Sequence, residues 1–182
     1  MTTKPNGSFD IVFPVVYAII FGLIALFVRI RFFPIGDIGV ESDFYQSLGN
    51  AAQELWNGSL SVASYPYKGP FYSFALVFIH LFGGDWYTDA VVLSVLSAAG
   101  SLIVLYRVLL RTFDRWLAVT ATVSVSLLAE FFLNAHKACT DVLFLFLCLL
   151  AISLLLIEKW RWIAFAGAGV FSAFAFLTRY NG

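Results

Sequence analysis

Apolar residues in this chain come in long unbroken runs, not in alternation with polar ones. Ile11 to Val28 carries no charge and is closed by Arg29 and Arg31. Ala90 to Tyr106 ends at Arg107, and Trp116 to Leu133 holds only Glu130 near its far end. Val142 to Ile157 and Trp162 to Thr178 complete the series. A membrane-crossing helix needs about 20 mostly apolar residues, and each run reaches that length by borrowing a few flanking positions. The pattern predicts an all-α membrane protein, a multi-pass helical bundle of about five spans near 11–28, 88–107, 116–134, 141–157 and 162–178. The first run is too long for a signal-peptide core and has no small-residue cleavage site after it, so it reads as a retained span.

A sixth run, Gly69 to Gly84, is bounded by Gly-Pro and by Gly83-Gly84-Asp85. Its apolar core is only about a dozen residues, which suits a helix lying at the interface. Charge placement agrees. Basic residues gather in cytoplasmic connectors near span ends, and the connectors around Arg107, Arg111 and Arg115 and around Lys159 and Arg161 are the basic ones. They share a side with Lys4 only if the sixth run does not cross. Residues 29–87 then form one long outer loop with helices near 42–56 and 70–82. The cost of this topology is that Arg29 and Arg31 fall outside.

Composition removes whole classes of function. The chain is 182 residues, 61% hydrophobic and 12% charged, against about 45–50% and about 25% for an ordinary soluble domain. Eleven basic and eleven acidic side chains leave no net charge, so no global positive field exists to hold nucleic acid. Cys139 and Cys148 have neither metal nor redox spacing and read as buried thiols.

The outer segments collect the ionisable residues, which are costly near a membrane and usually functional. Phe44, Leu48, Ala51, Ala52 and Leu55 recur at helical spacing after Ser42, a candidate N-cap. Asp43 then lies in the first turn, where the helix dipole favours its anion. In Tyr65-Pro66-Tyr67-Lys68-Gly69-Pro70, two prolines and a glycine fix a turn from which Lys68 projects. By itself this is an interfacial anchor with a snorkelling lysine; as chemistry, it is a point charge for a phosphate. The segment Asn134 to Asp141 brings His136 and Lys137, with Asp141 opening the next span and Glu130 one turn upstream. Glu130, His136, Lys137 and Tyr67 are the further candidates for lining one pocket. Two rival classes compete with surface chemistry. A transporter or flippase for lipid or sugar would show spans broken by Gly or Pro around a midplane site, and no span holds a proline after Pro14. A noncatalytic membrane subunit would leave Asp43, Lys68 and Asp141 as separate helix caps.

The ordered segments ESDFYQSLGNAAQEL, YPYKGPFYSFALVFIHLFGGD, NAHKACTDVLFLF and GVFSAFAFLTRYNG resemble the N-terminal part of polytopic GT-C glycosyltransferases of the family 39-like group. That group includes protein O-mannosyltransferases, the aminoarabinose transferase of lipid A and lipopolysaccharide-core transferases. The resemblance spans nearly all of residues 1–182 and implies the N-terminal part of a longer transmembrane domain. It implies transfer of a sugar from a polyprenyl or dolichyl phosphate to a hydroxyl of a glycan, lipid or protein acceptor. The site would lie on the outer side of a cell-envelope membrane, the bacterial inner membrane. Asp43 matches the essential aspartate of the first outer loop. Lys68 matches a lysine that contacts the lipid phosphate, in a segment with Lys-Gly-Pro where the family has Pro-Pro. Asp141 matches a second aspartate, which in some members joins the first in holding a divalent metal, and Arg179 lies in the family's LTR segment, facing the same phosphate. Beyond that ion, no cofactor is implied.

Overall fold

The computed structural model describes residues 7–33, 41–59, 64–65, 68–157 and 160–180. The expectations that fall on Lys4, Tyr67 and Lys159 lie outside them. Every regular element among the described residues is helical: α1 (Ser8–Phe32), a π-helical turn (Phe44–Leu48), α2 (Gly49–Trp56), α3 (Phe71–His80), α4 (Trp86–Thr112), α5 (Arg115–Ser126), α6 (Ala129–Ala135), α7 (Asp141–Leu155) and α8 (Arg161–Thr178). This is an all-helical membrane bundle.

Contacts fix the direction of each helix. The first turn of α1 places Asp10 against Arg115, and its last turn places Arg29 against Glu41. Helix α4 runs back, from Tyr87 beside Glu41 to Tyr106 beside Asp10. The chain returns through α5 and α6 to Ala138, whose amide also meets Glu41. Helix α7 descends to Ser153, which accepts from Arg111, and α8 climbs again to Arg179 beside Asp141. Among the described residues the chain thus runs five times between the two ends of the bundle.

Span length is less uniform than the apolar runs suggest. Three helices, α1, α4 and α8, are long and apolar enough to cross a membrane, and a fourth qualifies if α5 and α6 count as one broken span. Those two are bent by 67° at Leu127–Leu128, where a single straight helix over 116–134 was expected. Helix α7 has 15 residues, about 22 Å of rise, short of the roughly 30 Å hydrocarbon layer. Helix α3 has 10 residues, too short to cross.

Small residues set the packing. Ala18, Gly22 and Ala25 share one face of α1, the two alanines fully buried, and a Cβ on Gly22 would sit 3.4 Å from Val95 of α4. Gly100 of α4 lies beneath the Phe146 ring of α7, where a Cβ would come within 2.6 Å of Cε2. Helix α8 turns Ala164, Ala168 and Ala175 inward. Between membrane helices the hydrophobic effect gives no net attraction, so close backbone approach through small residues supplies the contact energy. The large residues point outward instead: Ile11, Leu23, Phe27, Ile30 and Trp162 are all exposed. Serines inside α4 satisfy themselves, Ser97 and Ser101 donating back one turn to Leu93 O and Ser97 O. Aspartates cap two helices, Asp85 accepting from Tyr87 N and Thr88 N of α4, and Asp114 from Leu117 N of α5.

Candidate active site

The end of the bundle that receives Arg29, α2, α3 and the start of α7 holds most of the charged candidates. The helical segment begins at Ser42, with Asp43 already in helical conformation (φ −61°, ψ −37°). Ser47 donates to the Asp43 carbonyl. The Asp43 carboxylate opens onto a cleft of about 230 Å³ lined also by Gln46, Ser47, Leu48, Ser64, Tyr65 and Lys68. Lys68 Nζ is ion-paired with Asp43 Oδ2. The lysine is mostly covered and the carboxylate is open, with side-chain exposures of 18% and 61%.

Gly69 explains why Lys68 stands where it does. A Cβ at this position would fall 2.1 Å from the Leu177 carbonyl oxygen in the last turn of α8. Only glycine lets the 68–70 strand of chain lie directly on that backbone, which gives the Lys-Gly-Pro sequence a steric reason. Two residues beyond Leu177, Arg179 leaves α8 in extended conformation and pairs with Asp141 at the N-terminus of α7. The helix dipole favours a carboxylate there. Two acid–base pairs, Asp43 with Lys68 and Asp141 with Arg179, therefore flank one backbone contact. The half-buried Cys139 thiol reports the same crowding: desolvation pushes its pKa up to about 11, while the charges of Lys68, Glu41 and Arg179 all act on it.

The remaining candidates divide. His136 is 1% exposed, and its Nδ1 meets the Phe132 carbonyl at 2.8 Å. Burial is the main cause that holds its pKa below the ordinary histidine value, helped by Arg29 and Lys137. It sits under the site and does not line the cleft. Lys137 is half-buried and Glu130 is exposed in the first turn of α6, and neither forms an ion pair among the described residues. The bend at 127–128 separates α6 from the axis of α5, so Glu130 does not reach the cleft of Asp43.

Glu41 is the residue that sequence reasoning passed over. It is 1% exposed, and it joins three parts of the chain: Arg29 of α1 at 3.4 Å, the Tyr87 hydroxyl of α4 at 2.6 Å and the Ala138 amide before α7 at 2.8 Å. Asp43 follows two residues later, so this clamp anchors the segment that presents it. It also supplies the countercharge for Arg29. The available signal was an arginine in the last turn of a span, which demands a nearby acid.

The carboxylates do not suit a shared divalent ion as they stand. Asp43 and Asp141 each hold a cation, so an ion bound to both would have to displace Lys68 and Arg179. Among the described residues no group of three or more His, Cys, Asp or Glu is assembled for a metal.

A profile of the family described as dolichyl-phosphate-mannose-protein mannosyltransferase matches residues 67–182, well over half the chain and including Lys68, Asp141 and Arg179. The chain belongs to this family. It is a membrane glycosyltransferase family, which agrees with the helical bundle and the charged cleft at one end. No curated protein and no solved structure matches the chain.

Proposed function

We propose that the chain carries the donor and base side of a transfer reaction, moving a sugar from a polyprenyl or dolichyl phosphate to an acceptor hydroxyl on the extracytoplasmic side. The observation that supports this is the Asp43–Lys68 pair in an open polar cleft, with Arg179 and Asp141 beside it. The donor's phosphate draws Lys68 away from Asp43 and so frees the carboxylate. The acceptor oxygen then attacks the anomeric carbon as Asp43 takes its proton, and the carbon–oxygen bond to phosphate breaks with its electron pair leaving on the phosphate. General-base help of this kind is worth about 10²–10⁴ in rate. Lys68, and secondarily Arg179, stabilise the charge that develops on the leaving group. Asp141 holds Arg179 in position. The lipid tail stays in the bilayer, which accounts for a sugar transferase made of membrane helices. The reaction as proposed routes no step through a metal.

Asp43→Asn should abolish sugar transfer while leaving membrane insertion and the helical content unchanged; near-normal turnover would refute the role of base. Lys68→Ala should raise the apparent KM for the donor lipid by about tenfold or more, with the acceptor KM unchanged. An unaltered donor KM removes Lys68 from the phosphate site.

A further inference from the structure

A second cavity lies apart from this cleft, between the last turn of α1 and the first turn of α4. A cavity of about 220 Å³ there is lined by Leu26, Arg29, Ile30, Phe33, Tyr87, Thr88, Val91 and Val92. It shares no residue with the cleft of Asp43 and Lys68. Arg29 is the unusual member, because its side chain is only 8% exposed. A guanidinium has five N–H donors, yet among the described residues this one makes a single hydrogen bond, 3.4 Å long, to Glu41. The ring of Tyr87 covers one face at 4.9 Å and accepts no proton in the guanidinium plane. The oxygens of Glu41 are also shared with Tyr87 and Ala138. No Arg29 nitrogen is among the buried atoms left without a partner, so its remaining donors reach open space, and the cavity that Arg29 lines is where they do.

We propose that this cavity seats the phosphate of a bilayer phospholipid. The guanidinium fork suits two phosphate oxygens, and Thr88 lines the same cavity with a hydroxyl. Leu26, Ile30, Phe33, Val91 and Val92 form the walls, and Ile30 is 72% exposed on the side facing the membrane. A free anion would leave those walls wet. An amphiphile fills both halves, with its headgroup at the end of two spanning helices and an acyl chain running down between them. The bound phosphate completes the hydrogen bonding of Arg29 and so steadies the Arg29–Glu41 clamp that carries the Asp43 segment.

The test uses the full chain reconstituted with phosphatidylglycerol and phosphatidylcholine, extracted in mild detergent and examined by native mass spectrometry. The folded wild type should retain about one phospholipid per chain. Val92→Trp fills the cavity without touching the Arg29–Glu41 pair and should lower retention at least fivefold, as should Arg29→Lys, which keeps the charge and loses the fork. Lys68→Ala should retain the lipid. Phosphatidylglycerol should raise the melting temperature, and inorganic phosphate at the same concentration should not. The proposal is overturned if Val92→Trp and Arg29→Lys both retain the lipid, or if inorganic phosphate stabilises equally. Loss of the lipid in Lys68→Ala, or one-for-one displacement by added polyprenyl phosphate, would also overturn it by assigning the cavity to the donor.

Discussion

Both ends of the bundle pair aspartate with a cation, and they do it in opposite ways. At the end away from the cleft, Asp10 is held by Arg115 through Nε at 2.8 Å and Nη2 at 3.0 Å, and by the Tyr106 hydroxyl at 3.2 Å. Its side chain is 5% exposed, whereas Asp43 is 61% and Asp141 44% exposed. The first arrangement ties α1, α4 and α5 together and leaves the carboxylate no room to act. The second gives Asp43 and Asp141 one cationic partner each and an open side, while Glu41 at the same end is buried and multiply bonded like Asp10. A buried, multiply bonded acid is structural, while an accessible acid with one exchangeable cation is available for chemistry.

The largest effect that tests this contrast is on turnover. Asp43→Asn should cost about 10²–10⁴ in rate and move the melting temperature by no more than about 2 °C, because an exposed pair contributes little to stability. Asp10→Ala should do the reverse. Losing one partner of a fully buried pair costs about 3–5 kcal/mol. Arg115 is half exposed, which reduces the expected loss to about 2–3 kcal/mol, measured by denaturant titration in micelles. The folded fraction of that variant should keep its turnover per molecule. If the two variants produced the same phenotype, the distinction between the ends would fail.

Gly69→Ala probes how the cleft is assembled. The added Cβ meets a backbone oxygen that cannot rotate away, so the 68–70 strand must lift off α8. We expect a loss of about 1–3 kcal/mol and a drop in transfer of about tenfold, since Lys68 moves relative to Asp43. Wild-type activity in this variant would mean that the contact with Leu177 does not position Lys68.

The helical bundle was legible from the chain because uncharged runs of this length have few other solutions. The break at Leu127–Leu128 was not. The 67° bend follows Ser126, whose hydroxyl donates back to the Val123 carbonyl and meets the Tyr17 hydroxyl of α1, and two serines in an apolar run do not announce that partnership. For the site, Asp43, Lys68 and Asp141 stood out as ionisable residues on the segments between spans. Their partnerships did not, because Lys68 depends on a glycine lying on Leu177, and Glu41 on an amide 97 residues away. Local sequence marks where chemistry is carried; packing at long range decides what it touches.

The smallest predicted effect concerns His136, which lies beneath the open site but is buried like the closed end. In the neutral ring Nδ1 donates to the Phe132 carbonyl, and Nε2 is buried without a hydrogen-bond partner. A proton added there would place a charge in a desolvated position near Arg29 and Lys137, so the folded-state pKa lies below the ordinary value of 6.5. The unfolded chain therefore binds more protons at and below pH 6.5 until the folded form also titrates. Its contribution to stability is complete above that pH and is lost progressively on acidification. Melting temperature should fall between pH 7 and pH 5, and His136→Phe should flatten that slope while keeping the aromatic contacts with Phe33 and Phe132. An unchanged slope in His136→Phe would show that this ring is not held neutral by its burial, and that the layer under Asp43 is wetter than the closed end it resembles.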